Sequence, residues 1–363
     1  MKIKNLKLKN YRNCENIELN FNNLKNIIIG KNAQGKTNIL ESIYFLSCLK
    51  SMRTSKVSDL IEFGKDNMNI CALLEKNSTE IQLNYYIDET GKKTFKINGV
   101  KSTIKDFRGI LKTVIFSNED LLLLRGTPEN RRNWLDNAIF QIYPLYEDRL
   151  NKYEKLRIQK NNLLKSDKFD YGLMDVYNEQ MSITGANIVF LRNKYLNEIS
   201  NIAKIKHLEI SNDETLNIYY KTTFPINDNI EQICENYKQA LKDNYDEEIR
   251  RGQSLIGPHR DDIIFLTNDK DATKFASQGQ QRTVVLALKS AELNIIKEKT
   301  DISPILLLDD VLAELDDLRQ NYLLNSIDKD TQTIITSVDT LLFSKEFLND
   351  ISLFKIKNGS LEI

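Results

Sequence analysis

The apolar positions of the chain change period several times, and each change marks a different kind of element. Between residues 2 and 29 three runs, KIKNLKLKN, ENIELNF and NIIIG, have the length and apolar content of strands. In the first, Ile3 falls on one parity and Leu6 and Leu8 on the other, which predicts a bulge near Asn5 or a strand buried on both faces. Ile39, Ile43 and Leu46 then recur at helical spacing, and MRTSKVSDLIEFG reads as a connector with a short helix. From 68 to 101 the runs NICALLEK, EIQLNYYID and KTFKING, separated by Asn-Ser and Glu-Thr-Gly, predict an antiparallel meander forming a second sheet beside the first. TVIFS, 113 to 117, returns as an apolar strand.

From Asn118 to about Lys206 the period is helical. Thr127-Pro128 is a helix start, with Thr as N-cap and Pro at the first helical position. Pro144 starts a second helix, and a third runs from about Tyr171 to Ile205. Residues 208 to 223 look strand-like, and 229 to 252 read as a helix leading back. The last third alternates again: strand DIIFL, a helix opened by Ser277-Gln278-Gly279, strand PILLLDD, helix LDDLRQNYLLNSI, strand TQTIITS, and a closing hairpin around Asn358-Gly359. The pattern is α/β, a mixed sheet plus an antiparallel meander, interrupted by a helical insertion. The expected division is 1–117 for the first half of the sheet domain, 118–250 for the insertion and 251–363 for the second half.

Composition narrows the picture only slightly. In 363 residues, 41% hydrophobic, the 51 Lys and Arg balance the 51 Asp and Glu, so a nucleic acid would have to be met by a local basic patch. The four cysteines, Cys14, Cys48, Cys71 and Cys234, lie too far apart in sequence for a metal or redox pair. The opening MKIKNLKLKN has no apolar signal core, and no apolar run approaches the roughly 20 residues of a membrane span, so a soluble, cytoplasmic protein without a membrane partner is expected.

The chemistry concentrates in NIIIGKNAQGKTNILESIYFL, which carries the phosphate-binding spacing G-x-x-x-x-G-K-T as Gly30, Lys31, Asn32, Ala33, Gln34, Gly35, Lys36 and Thr37 between a strand and a helix. Glycines let backbone N–H groups turn toward phosphate oxygens, Lys36 can reach the β- and γ-phosphates, and the Thr37 hydroxyl can ligate Mg²⁺. ILLLD ends an apolar strand in acid, where ATPases of this kind place a Mg²⁺-shell carboxylate, so Asp309 is the metal candidate and the adjacent Asp310 a candidate for orienting water; the plainer reading makes both solvated strand-end acids. Ser277, Gly279 and Gln280 open a helix with free amides, suited to a γ-phosphate, though Ser277 alone is equally a simple cap. Of the two histidines, His207 and His259, the second sits in GPHRDD, where a structural role is the better reading. Arg131 and Arg132, with Arg149, Lys152, Lys155, Arg157 and Lys160 on the following helix, are the basic candidates for DNA, set against the ordinary reading of a solvated helix face.

Several stretches together resemble the RecF family of bacterial recombinational-repair proteins, related to the ATPase heads of SMC and ABC proteins, over essentially the full length. They are Asn10-Tyr11-Arg12-Asn13, the P-loop with Thr37-Asn38, Glu119 to Pro128 followed by Arg131, Arg132, Leu135 and Asp136, Gly257 to Asp262, and Leu307 to Asp316. The departures are Asn118 where the family usually has Pro, Thr127 for a smaller residue, Trp134 for Phe or Tyr, and no histidine among Thr336, Ser337, Val338 and Asp339 to sense the γ-phosphate, which suits slow hydrolysis. The resemblance implies an ABC/SMC-type head that binds ATP and Mg²⁺ and dimerises around ATP. It also implies binding to single- and double-stranded DNA at gaps or junctions, and cooperation with RecO and RecR in loading recombinase in the SOS response. The other reading is a cytoplasmic ABC-transporter ATPase subunit, against which the long helices and the missing histidine speak.

Overall fold

A computed structural model of the chain describes residues 1–344 and 347–362. These fall into two compact units, Met1–Asp120 with Lys289–Ile363, and Leu121–Leu288. The strands in chain order are β1 (Lys2–Tyr11), β2 (Cys14–Asn20), β3 (Lys25–Ile29), β4 (Met68–Lys76), β5 (Thr79–Ile87), β6 (Lys93–Ile97), β7 (Val100–Ser102) and β8 (Thr113–Phe116). They continue with β9 (Leu216–Lys221), β10 (Asp262–Thr267), β11 (Lys270–Asp271), β12 (Ile305–Asp309), β13 (Thr333–Ser337), β14 (Ile351–Lys357) and β15 (Ser360–Glu362).

The first unit holds two six-stranded sheets, β2-β1-β4-β5-β6-β7 and β15-β14-β3-β13-β12-β8. This corrects the expectation that the first three strands form one sheet and the meander another: β1 and β2 join the meander, and only β3 enters the second sheet. The reason lies in the side chains. In β1 and β2 buried and exposed positions alternate over much of their length, as strands with one wet face require, and β1 pairs antiparallel with β4. In β3, Asn26, Ile27 and Ile28 are all fully buried, and it runs parallel to β13 on one side and β14 on the other. The helix Lys36–Cys48 buries Ile39, Ile43 and Leu46 completely and touches β1 as well as β8, β12 and β13, so one apolar core serves both sheets. Edge-to-face contacts of Tyr85 with Phe45 and Phe95, and the tilted Phe95–Phe107 pair, fill its meander end.

The irregularity expected near Asn5 is present, as a register shift between Ile3 and Asn5 where β1 meets β4. Gln332, just before β13, repairs the pairing from the other sheet: the Ile3 N–H donates to Gln332 Oε1 at 2.7 Å and Gln332 Nε2 donates to the Ile3 carbonyl at 2.9 Å. A side-chain amide thus takes the place of a neighbouring strand at a bulge.

The second unit is mainly helical, with the three-stranded sheet β11-β10-β9. Its helices include Pro128–Ile142, Tyr146–Leu164, Tyr171–Ser211, Ile230–Asp243 and Tyr245–Arg251. The third expected helix runs six residues further than Ile205, to Ser211, so the strand-like reading of 208–223 holds only for Leu216–Lys221. The returning helix is two, meeting at Asn244, which is C-cap of one and N-cap of the next. The unit also extends past the expected boundary at 250 because β10 pairs with β9, and three arginines, two of them buried, tie the Gly257–Asp262 stretch to the helices. Arg131 Nε donates to Asp262 at 2.6 Å, Arg132 donates to the Asp261 carbonyl at 2.7 Å, and Arg192, paired with Asp136, donates to the Pro258 carbonyl at 2.7 Å. His259 is part of this fabric: Nδ1 meets the Tyr153 hydroxyl at 2.9 Å, Nε2 meets the Ser254 carbonyl at 3.1 Å, and burial pushes its pKa down to about 3. A neutral structural histidine follows, as spacing suggested.

Gln332→Ala would leave the buried N–H and C=O of Ile3 without partners, and is expected to lower unfolding stability by about 2–3 kcal/mol in urea titrations. An unchanged midpoint would show that the two sheets do not depend on this amide.

Candidate functional site

The P-loop leaves β3 and turns into the helix Lys36–Cys48. Gly35 has φ +107°, and a Cβ there would lie 2.7 Å from Asn13 Oδ1, so the second glycine is required by conformation and by space. The Asn38 and Ile39 N–H groups donate to the Gly35 carbonyl at 3.1 and 3.3 Å, closing the first helical turn. Lys36 is buried to 3% exposure; its Nζ donates to the carbonyls of Gly30 at 2.8 Å and Lys31 at 3.4 Å and lies 3.7 Å from Asp310 Oδ2.

Asp309 ends β12 between two threonines. Its Oδ1 accepts from Thr37 Oγ1 and from Thr336 Oγ1, both at 2.9 Å, and Thr336 Oγ1 in turn accepts the Asp310 N–H at 2.9 Å. Burial raises the Asp309 pKa, with Asp310 adding to it and the two hydroxyls opposing. Asp310 itself has φ +51°, a left-handed conformation that costs a non-glycine residue energy and aims its carboxylate toward Lys36 rather than along the strand. The P-loop residues Gly30 to Thr37, Asp309 and Asp310 are therefore brought together at one end of the parallel sheet. Asp309 and Thr37 offer two oxygens to a cation. Among the described residues no group of three or more His, Cys, Asp or Glu could hold a metal ion without other ligands.

A second layer joins Arg12, Asn13 and Asn38, from stretches that carry the resemblance, to Glu41, Ser51 and Arg53, for which the sequence assigns no role. Glu41, fully buried on the P-loop helix, accepts from Arg12 Nε at 3.1 Å and a second Arg12 nitrogen at 2.9 Å, from Arg53 at 2.5 Å and from Ser51 at 2.5 Å. Burial alone would raise its pKa, but these donors bring it down to about 2. Arg53 also donates to Asn38 Oδ1, and Asn38 Nδ2 donates to Asn13 Oδ1 at 2.7 Å. Arg12, Asn13, Asn38 and Arg53 line an open cleft of about 870 Å³ together with Phe63 and Lys65. The hairpin turn completes the surround: the Asn358 N–H donates to Gln34 Oε1 at 2.6 Å and the Gly359 N–H to the Gln34 carbonyl at 2.9 Å. Gly359 has φ +73°, and a Cβ there would stand 1.8 Å from the Asn13 carbonyl. Arg12 stands out in the Asn-Tyr-Arg-Asn run; Arg53 reads in sequence as one cation of a connector.

In the second unit Ser277 is exposed at the start of the helix Gln278–Thr300, and its N–H donates to Gln280 Oε1 at 2.8 Å while the Gln280 N–H donates to Ser277 Oγ at 3.3 Å. This is a capping box. Gly279 and Gln280 are half-buried. The basic candidates divide. Lys160 is fully buried and paired at 2.5 Å with the equally buried Glu248, and Arg131 is buried and paired with Asp262, so neither can reach a DNA backbone. Arg132 holds the Asp261 carbonyl, and Arg157 is paired with Glu154 at 2.5 Å. Arg149 and Lys152 are exposed, as is Lys155.

A family model described as RecF/RecN/SMC N terminal domain matches residues 2–360. The DNA replication and repair protein RecF of Bacillus subtilis (strain 168) is 39% identical over 369 residues, covering 99% of this chain and 100% of that protein. The chain belongs to the RecF family. RecF of Clostridium acetobutylicum is 41% identical over 362 residues, with 99% of both chains covered. The solved structure of the recombination mediator protein RecF-ATPrS in the RecFOR pathway superposes with a TM-score of 0.91 at 34% identity, over 99% of this chain and 97% of that one. An Smc head bound to the C-winged helix domain of ScpA shares the fold at TM-score 0.57 and 15% identity. The α/β head with an SMC-type architecture is thus the fold of this chain. Among the described residues no helix is long and apolar enough to cross a membrane.

Because the folded pKa of Glu41 is about 2 against an ordinary 4.5, its contribution to stability is complete above pH 4.5 and is lost as pH falls toward 2. Acid unfolding of wild type should steepen over that interval by an amount on the order of 3 kcal/mol that Glu41→Gln does not show. Parallel pH curves for the two proteins would mean that the Arg12 and Arg53 pairings contribute nothing.

Proposed function

We propose that the chain is an ATP-dependent DNA-binding protein of recombinational repair and replication restart. In this reading it dimerises around two ATP molecules on DNA gaps or single-strand/double-strand junctions, in the cytoplasm. The observation that carries the reading is the joint at Asp309, which brings P-loop Thr37, Thr336 and the Asp310 backbone to one point beside buried Lys36. Membership of a family whose relatives are named for DNA replication and repair, and a 34% identical RecF solved with ATP, support the nucleotide and the process.

In this reading the backbone amides of Gly30 to Thr37 and the Lys36 ammonium hold the phosphates. Mg²⁺ would be held by Thr37 and Asp309, with phosphate and water oxygens completing its shell. That suits an ion that keeps most of its water, and it fits a site where the protein offers only two ligands. Bound there, it would offset negative charge on the β- and γ-phosphates. Asp310, held by its own N–H to Thr336, orients water for slow hydrolysis that resets the switch. Ser277, Gly279 and Gln280 complete the site of a second copy, as the resemblance to ABC heads implies. DNA lies along exposed Arg149, Lys152 and Lys155, bound through its phosphates without base reading. Cooperation with RecO and RecR in loading recombinase belongs to the same proposal.

Ser277→Arg protein should bind ATP as a monomer yet fail to dimerise with it, and Lys36→Met should lose ATP. Mixed, the two should recover ATP-dependent dimers, because one composite site of the heterodimer carries neither lesion. Normal ATP-dependent dimerisation of Ser277→Arg in light scattering overturns the shared-site reading.

Replacing Arg149, Lys152 and Lys155 by Gln should weaken binding to every DNA sequence alike, and should flatten the slope of log K against log salt by about one unit for each phosphate that is no longer neutralised. An identical slope would place DNA on another surface.

A further inference from the structure

Gln280 and Gln281, in the first turn of the helix that Ser277 caps, each hold their amide in one orientation, and each does so through a partner elsewhere in the second unit. Gln280 Oε1 accepts the Ser277 N–H at 2.8 Å while its Nε2 donates to Glu214 Oε1 at 2.7 Å. A carboxylate can only accept, so Glu214 compels the NH₂ end of Gln280 toward itself and the oxygen toward Ser277. Gln281 is fixed in the same way: its Oε1 accepts from Arg125 Nε at 2.7 Å and its Nε2 donates to the Ala276 carbonyl at 3.1 Å. Glu214 is anchored in turn. Its carbonyl meets His207 Nδ1 at 3.2 Å and accepts from Ser211 Oγ at 3.4 Å, both on the last turns of the helix Tyr171–Ser211.

We propose that Glu214 is a positioning residue for the composite ATP site, acting through the Gln280 side-chain amide to hold closed the capping box from which the Ser277 hydroxyl projects. This rests on the shared-site reading above. The Ser277 oxygen already accepts from the Gln280 N–H at 3.3 Å, so the hydroxyl hydrogen is directed away from the helix, outward from an exposed side chain. If the Gln280 amide turned over, its NH₂ would face the Ser277 N–H, donor against donor, and the cap would open. The Ser277 N–H requires the oxygen at one end of the amide, and Glu214 enforces the same polarity from the other end. The link also joins the Ser277–Gln280 turn to the end of the 41-residue helix, so displacement of that helix end moves Ser277.

The test uses the full chain and exchanges the two partners. Gln280→Glu keeps an acceptor for the Ser277 N–H but sets two carboxylates against each other, and is expected to weaken ATP-dependent dimerisation about tenfold, the scale of a hydrogen bond to a charged group. Adding Glu214→Gln restores a donor opposite the new carboxylate, and the double variant should return to within about threefold of wild type. ATP affinity of the monomer and the thermal midpoint are measured on each protein, so that rescue of dimerisation at unchanged melting separates positioning from folding. Wild-type dimerisation of Gln280→Glu, or a double variant no better than the single, overturns the proposal. Ser277→Arg is run beside them: if it also dimerises normally the shared-site reading has failed, and if it alone fails to dimerise only the role of Glu214 has.

Discussion

One carboxylate oxygen, Oδ1 of Asp309, accepts from hydroxyls on two other segments, Thr37 after β3 and Thr336 on β13. Those strands and β12 lie side by side in the parallel sheet, in the order β3-β13-β12, so the hydrogen bonds run across its carboxyl end, where open α/β sheets place their ligands. The same Thr336 hydroxyl accepts from the N–H of Asp310, whose backbone lies in the left-handed region at φ +51°. Removing either threonine hydroxyl would leave a half-buried carboxylate short of donors in a setting that already raises its pKa. The position of the loop, of Asp309 itself and of the second carboxylate all depend on that joint.

Around it, the surround of the P-loop is made of pieces far apart in the chain. Arg12 and Asn13 come from the β1–β2 turn, Arg53 from the connector, and Asn358 and Gly359 from the hairpin between β14 and β15. Glu41 gathers the cations of the first two. A buried carboxylate is costly unless fully paired, and here three side chains supply the donors. The cluster joins the P-loop helix to the antiparallel sheet, while Gln332 joins the two sheets at Ile3.

Much of this was legible in the chain because it is local. The P-loop, the acid at the end of ILLLD, the Thr127-Pro128 start, the Asn358-Gly359 turn and the irregularity near Asn5 are each written within a few residues. What was not legible required knowing a distant partner. That β1 and β2 belong with the meander depends on pairing with Met68–Lys76, and three short strands in a row carry no sign of which sheet each will join. Lys160 sits among exposed cations at helical spacing, and only Glu248, 88 residues away, reveals that its face of the helix is the buried one. Arg131 likewise reads as free until Asp262 is placed beside it. The boundary near 250 moved because β10 needed β9 to pair with.

The order of pairing in the parallel sheet has a consequence for synthesis. β3, which carries the P-loop, lies between β13 and β14, whose residues are made more than three hundred positions later. While the chain is being made, β3 has no neighbour in its final sheet, and its backbone edges stay unpaired until Thr333–Ser337 and Ile351–Lys355 emerge. The meander and the residues of Leu121–Leu288 have their own partners sooner, so they can fold during translation. The Thr336 hydroxyl that meets Asp309 and Asp310 arrives with β13, so the joint beside the phosphate loop closes only after most of the chain has been made.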